Sequence, residues 1–99
     1  MKNLGFLGQP NYSVTPDGQV FSSKSQKFMK IYEKDNGYCF LLLCNNGKST
    51  NFYVHRLVAL AFLYEEGCEK LQVNHKNGNK KDNRLQNLEW ATPSENTKH

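Results

Sequence analysis

Short alternating runs fill the first half of the chain. Tyr12–Val14 and Gln19–Ser22 flank Pro16-Asp17-Gly18, in which Pro presets a turn φ and Gly accepts a positive one, so a hairpin is expected there. Lys27–Tyr32, Tyr38–Cys44 and Ser49–Tyr53 are rich in aromatic and aliphatic residues. They are separated by Asn36-Gly37 and Asn46-Gly47, strong two-residue hairpin signals, and one small antiparallel sheet accommodates all these runs. The period then changes: Val54, Leu57, Val58, Ala61 and Phe62 recur at the spacing of one apolar helix face, which predicts a helix of two to three turns covering the sheet.

Beyond Glu65-Glu66-Gly67, Leu71-Gln72-Val73 reads as a short strand ending at Asn74-His75, and Leu88–Ala91 as a second strand pairing with it. The stretch between them, Lys76 to Arg84, is too polar to pack and is expected to be a surface loop. Thr92 as N-cap, Pro93 at the first helical position and Glu95 completing a capping box then mark a final short helix. Asn96 and His99 share one face of that helix. The class is α+β: an amino-terminal antiparallel module over 1–53, then a linking helix with a strand-loop-strand-helix unit over 54–99, the two forming one compact body.

Ninety-nine residues bound the chain to about one small domain, and a formal charge of +4 favours an anionic partner without demanding one. No apolar run reaches the roughly 20 residues of a membrane span, and Met1 to Gln9 lacks the charged and apolar regions of a signal peptide. A soluble cytoplasmic protein with no membrane partner is expected. Cys39, Cys44 and Cys68 form no C-x-x-C pair and are odd in number, so they read as reduced structural residues. Cys39 and Cys44, five apart in a strand, fall on opposite faces and cannot share a metal.

The polar loop and its flanks carry the residue types that phosphodiester hydrolysis needs: a base for water, a cation for the phosphate and leaving oxygen, and a group to hold the base rigid. His75 is the candidate base, since an imidazole can be neutral at physiological pH. Asn96 offers a hard amide oxygen suited to Mg²⁺ or Mn²⁺. Asn87 can tie the loop ends together through amide hydrogen bonds and so fix the imidazole's direction.

These residues resemble a family. Val73-Asn74-His75-Lys76-Asn77-Gly78-Asn79-Lys80, then Asn83, Asn87-Leu88-Glu89-Trp90-Ala91-Thr92 and Glu95-Asn96, are similar to the HNH endonucleases of phages and group I introns. The His-Asn-Asn version of that motif matches His75, Asn87 and Asn96. Val54-His55-Arg56-Leu57-Val58-Ala59 with Phe62 resembles the helix preceding the motif, and Tyr12–Thr15 with Gly18–Ser22 the module often fused to it. The resemblance implies a ββα-metal nuclease core and one divalent cation, Mg²⁺ or Mn²⁺, with no small-molecule cofactor. It also implies DNA as partner, and hydrolysis leaving a 5′-phosphate and a 3′-hydroxyl. It makes His75 the general base, Asn87 the loop pin, and Asn74 with Asn96 the metal ligands. One departure matters: many relatives carry Asp before the histidine, where this chain has the neutral Asn74, a weaker attractor of cations.

Lys76, Lys80, Lys81 and Arg84 against Asp82 give the loop a local charge of +3, and beside a phosphate-cleaving site they become candidate backbone contacts. Arg56 can reach a phosphate, while His55 reads equally as packing at the helix start; His99, one turn beyond Asn96, is a further candidate. Trp90 reads as core. A monomer acting in a bacterial or phage-infected cell is expected. Two rivals stay open: a DNA-binding module that kept the fold without the chemistry, and a phage-encoded protein that binds a host protein.

Overall fold

Two turns set the register of the amino-terminal half in a computed structural model of the chain, which describes residues 1–92 apart from the side chain of Glu69. Across Pro16-Asp17-Gly18, β2 (Gln9–Val14) pairs with β3 (Val20–Ser22), Val14 opposite Val20. Gly18 takes φ +86°, the positive value that the turn needs. Across Asn46-Gly47, β6 (Cys39–Asn45) pairs with β7 (Lys48–Tyr53), and Asn46 and Gly47 adopt φ of +53° and +78°, as a tight turn between twisted strands requires. Alternation holds along β6: Leu41 and Leu43 are fully buried, whereas Leu42 is half exposed.

The expected single sheet is two. β1 (Lys2–Leu4), β2, β3 and β4 (Lys27–Phe28) form one antiparallel sheet in that order, and β5 (Tyr32–Glu33), β6 and β7 form another. The run Lys27–Tyr32, expected as one strand, divides between them: Phe28 pairs with Phe21 while Tyr32 pairs with Phe40. The residues between cross from sheet to sheet, with Met29 and Ile31 packed against the core. β1 has no signature in the sequence; three residues are too few to show a period, and the strand exists because it pairs with β2.

α1 (Val54–Phe62) follows β7 directly and buries Val54, Leu57, Val58 and Ala59. Its apolar face meets Leu4, Val14 and Val20 from the first sheet and Leu41 and Leu43 from the second. On the other side it meets Val73 and Leu88 of a hairpin formed by β8 (Gln72–His75) and β9 (Leu88–Ala91). Each fully buried leucine or valine contributes about 1.5–3 kcal/mol relative to exposure, so this one apolar cluster fixes the hairpin's place. Trp90 is half-buried against the cluster, and its Nε1–H donates to the Leu63 carbonyl at 2.7 Å, holding β9 to the end of α1. Among the described residues no helix is long and apolar enough to cross a membrane. The expected final helix, with Asn96 and His99, lies outside the described residues.

Candidate functional site

β8 ends at His75, whose side chain is only 6% exposed. Opposite residues of the hairpin share a face: His75 with Leu88 and Val73 with Trp90 look inward, while Asn74 with Glu89 lie on the other side. The imidazole is held by Asn83, whose Oδ1 sits 2.8 Å from Nε2 in a buried contact. An amide oxygen only accepts, so Nε2 carries a proton, and in the neutral ring the lone pair is on Nδ1. Asn83 is itself buried, because the first hairpin closes over it. A Cβ added at Gly18 would lie 3.0 Å from both Cβ and the carbonyl oxygen of Asn83, and the Leu85 amide donates to the Pro16 carbonyl at 2.7 Å. Lys76 to Lys81 and Arg84 are exposed, as the polarity of the loop predicts, while Asn83 turns inward to the imidazole.

Asn87 closes that loop one step behind the imidazole. Its Oδ1 accepts from the Asn77 amide at 3.2 Å, and its Nδ2 donates to Asn77 Oδ1 at 3.0 Å and to the Asp82 carbonyl at 2.9 Å. The Lys76 amide donates to the Asn87 carbonyl at 2.7 Å, tying the first residue after β8 to the last before β9. The group touching the ring is thus Asn83 rather than Asn87; Asn87 bonds the loop backbone and the Asn77 amide.

The basic residues have partners of their own. Arg84 forms a fork on Asp82, with Nε and Nη2 each 2.7 Å from a carboxylate oxygen, which holds the Asp82 carboxyl well below its usual range. Lys80 donates to the Asn36 carbonyl at 2.9 Å and lies 4.7 Å from the centre of the Tyr38 ring. Lys81 pairs with Glu33 at 3.4 Å across a well-exposed gap. Lys76 is exposed. Lys81 and Lys80 thus strap the loop to β5 and to the turn that follows it, while each ammonium retains further donors.

A second histidine, not assigned by the sequence, lies against the first. His55, 8% exposed at the start of α1, has its ring centre 5.1 Å from that of His75, 5.0 Å from Tyr38 and 5.5 Å from Tyr53. Burial first, then the charges of His75 and Arg56, push its pKa down from 6.5 to about 4, so it is a neutral imidazole at physiological pH. Its Nδ1 is buried without a hydrogen-bond partner among the described residues. A cavity of about 240 Å³ beside this cluster is lined by Tyr38, Tyr53, His55 and Arg56 among others. The Arg56 guanidinium also lies 6.0 Å from the Trp90 ring centre. A larger cleft of about 560 Å³ in the amino-terminal half is lined by Lys24, Lys27 and Asn46 but by no carboxylate or imidazole, and so lacks a base for water.

Asn74 sits opposite Glu89, and its Nδ2 donates to Glu89 Oε1 at 3.0 Å. Among the described residues no group of three or more His, Cys, Asp or Glu side chains is placed to hold a metal. A hard cation here would rely on the Asn74 amide oxygen as ligand, with the charge of the Glu89 carboxylate close by, a setting that suits Mg²⁺ or Mn²⁺ rather than a thiophilic metal. The other expected ligand, Asn96, is outside the described residues.

Residues 52–98 match the family described as HNH endonuclease. The chain is 43% identical over 91 residues to the DNA endonuclease I-HmuI of Bacillus phage SP01, an alignment covering 90% of this chain and 51% of that protein. It is 40% identical over 87 residues to a prophage-derived HNH homing endonuclease, YosQ, of Bacillus subtilis, covering 87% and 50%. To an uncharacterized HNH endonuclease of Acanthamoeba polyphaga mimivirus it is 37% identical over 89 residues, covering 90% and 27%. A solved structure, described as DNA binding and cleavage by the HNH homing endonuclease I-HmuI, superposes with a TM-score of 0.83 at 42% identity, covering 92% of this chain and 52% of that one. The chain thus spans between about a quarter and a half of the length of these relatives.

Proposed function

The chain belongs to the HNH endonuclease family and has its α+β, ββα-metal fold, and on that premise we propose that it is a metal-dependent DNA endonuclease. It hydrolyses phosphodiester bonds to leave 5′-phosphate and 3′-hydroxyl ends. The observation that carries this reading is the 2.8 Å contact between His75 Nε2 and Asn83 Oδ1. It leaves Nδ1 as the basic nitrogen of a ring fixed in direction by a buried partner. In the reaction, Nδ1 of His75 takes a proton from water, the water oxygen bonds to phosphorus, and the bond from phosphorus to the 3′-oxygen breaks, that oxygen taking a proton from solvent water while His75 returns its own to solvent. Asn83 holds the imidazole, and Asn87 keeps the loop from opening as charge develops on it. Asn74 with Asn96 would hold one Mg²⁺ or Mn²⁺, which when bound neutralises charge on the phosphate and the leaving oxygen. Lys76, Lys80, Lys81, Arg84 and Arg56 supply positive charge for the DNA backbone. The protein acts as a monomer in the cytoplasm, without a small-molecule cofactor.

The test is incubation of purified protein with supercoiled plasmid and Mg²⁺ or Mn²⁺, beside His75→Ala. Loss of a general base lowers the rate by about 10²- to 10⁴-fold while DNA affinity stays close to wild type. Wild-type cleavage by a folded His75→Ala protein overturns the assignment. The neutral Asn74 favours one second reading, a DNA-binding module without chemistry, which would bind the plasmid and leave it uncut with either metal.

A further inference from the structure

The residue before His75 is an amide, and its partner across the hairpin is an acid. Asn74 and Glu89 are directly opposite in the β8–β9 pair, on the face away from His75. Asn74 Nδ2 donates to Glu89 Oε1 at 3.0 Å. An ionised carboxylate only accepts, so the amide has one stable orientation against it: the NH₂ turned to Glu89 and Oδ1 turned away. With Asp at 74 two carboxylates would meet at this distance, which is unfavourable unless a cation lies between them. An amide and an acid in these places are mutually consistent.

We propose that Glu89 is a positioning residue for the metal site, fixing Asn74 Oδ1 as the ligand and supplying, from one position across the hairpin, the negative charge that Asn74 lacks. This rests on the metal-dependent nuclease reading. A neutral amide alone holds Mg²⁺ or Mn²⁺ poorly, since such sites usually draw on one or two carboxylates. Glu89 is exposed, so its field is screened by water, yet a unit charge within several ångströms of a divalent ion would still change affinity by about tenfold. Orienting partners behind a metal ligand have effects of similar size, about 10- to 100-fold.

The experiment is titration of the ¹⁵N-labelled chain with Mn²⁺, following paramagnetic broadening of the backbone amides of residues 73–75 and 88–90; it needs no DNA and no turnover. Glu89→Gln keeps an oxygen that can accept from Asn74 and removes the charge; Glu89→Ala removes both. Dissociation constants are expected to rise about tenfold in Glu89→Gln and further in Glu89→Ala. The double variant Asn74→Asp with Glu89→Gln swaps acid and amide across the hairpin and is expected to recover affinity at least to the wild-type value. Retained chemical shifts of the Val58 and Leu43 amides distinguish loss of metal from loss of fold. Wild-type affinity in both single variants, or no recovery in the swapped pair, overturns the role of Glu89 and leaves the nuclease reading standing. Absence of broadening at these residues in the wild-type protein overturns both.

Discussion

Acid should unfold this protein through one residue in particular. His55 is neutral in the fold, with its pKa lowered from 6.5 to about 4 chiefly by burial, whereas in the unfolded chain it titrates at its ordinary value. As pH falls below about 6.5 the unfolded state binds a proton that the folded state refuses, so stability present at neutral pH is lost progressively until pH passes about 4. The whole difference is worth about 3 kcal/mol, and about 2 kcal/mol of it goes between pH 7 and pH 5. The assay is urea unfolding at those two values, read by Trp90 fluorescence. With a slope of about 1 kcal/mol/M, the wild-type midpoint should fall by about 2 M. His55→Phe keeps a ring among Tyr38, Tyr53 and His75 but cannot titrate, and its midpoint should fall far less. His75 and His99 remain in both proteins, and Asp82, held ionised by Arg84, is not protonated in this interval. Parallel falls in wild type and variant, or a flat wild-type profile, would refute the reasoning.

Two further outcomes bear on the site. Asn83→Ala leaves the buried Nε2–H of His75 unpaired; cleavage should fall about 10- to 100-fold at little cost in DNA affinity, and stability by about 1–3 kcal/mol, as plasmid nicking and urea titration would measure. Replacing Lys80 and Lys81 by Ala should reduce the slope of log K against log salt by about 0.9 for each duplex phosphate that a lysine had neutralised, and an unchanged slope would confine both lysines to strapping the loop onto Glu33 and Asn36.

Local chemistry made much of the fold legible. The Asn-Gly turns, the helical spacing from Val54 to Phe62, and the alternation flanking the polar loop each rest on neighbours within a few residues, and each is found where the sequence puts it. What escaped depends on distant partners. Lys27–Tyr32 looks like one strand because its alternation is local, but its pairing is shared between β3 and β6. The same distinction governs the site. His75 stands out by its setting, yet five asparagines occupy the stretch from Asn74 to Asn87, and nothing in the polar run marks Asn83 as the one reaching the ring. That depends on the Pro16–Gly18 turn. His55 is equally opaque: its neighbour His75 is brought up by a different element, and only the packing of α1 on the hairpin joins them.

The contact between Gly18 and Asn83 bears on how far the His75 hairpin is portable. The turn acts as a mould: it has no Cβ where Asn83 presses closest, and its Pro16 carbonyl receives the Leu85 amide. A segment 54–99 transplanted onto another scaffold would bring the histidine, the asparagines and the charges, but not the surface against which they set. The new scaffold would have to offer a turn with a glycine at positive φ at the same height, or the imidazole would lose its bearing even though every residue of the motif was present. In this chain the bearing of the His75 imidazole is therefore encoded partly at position 18, far from the motif that contains it.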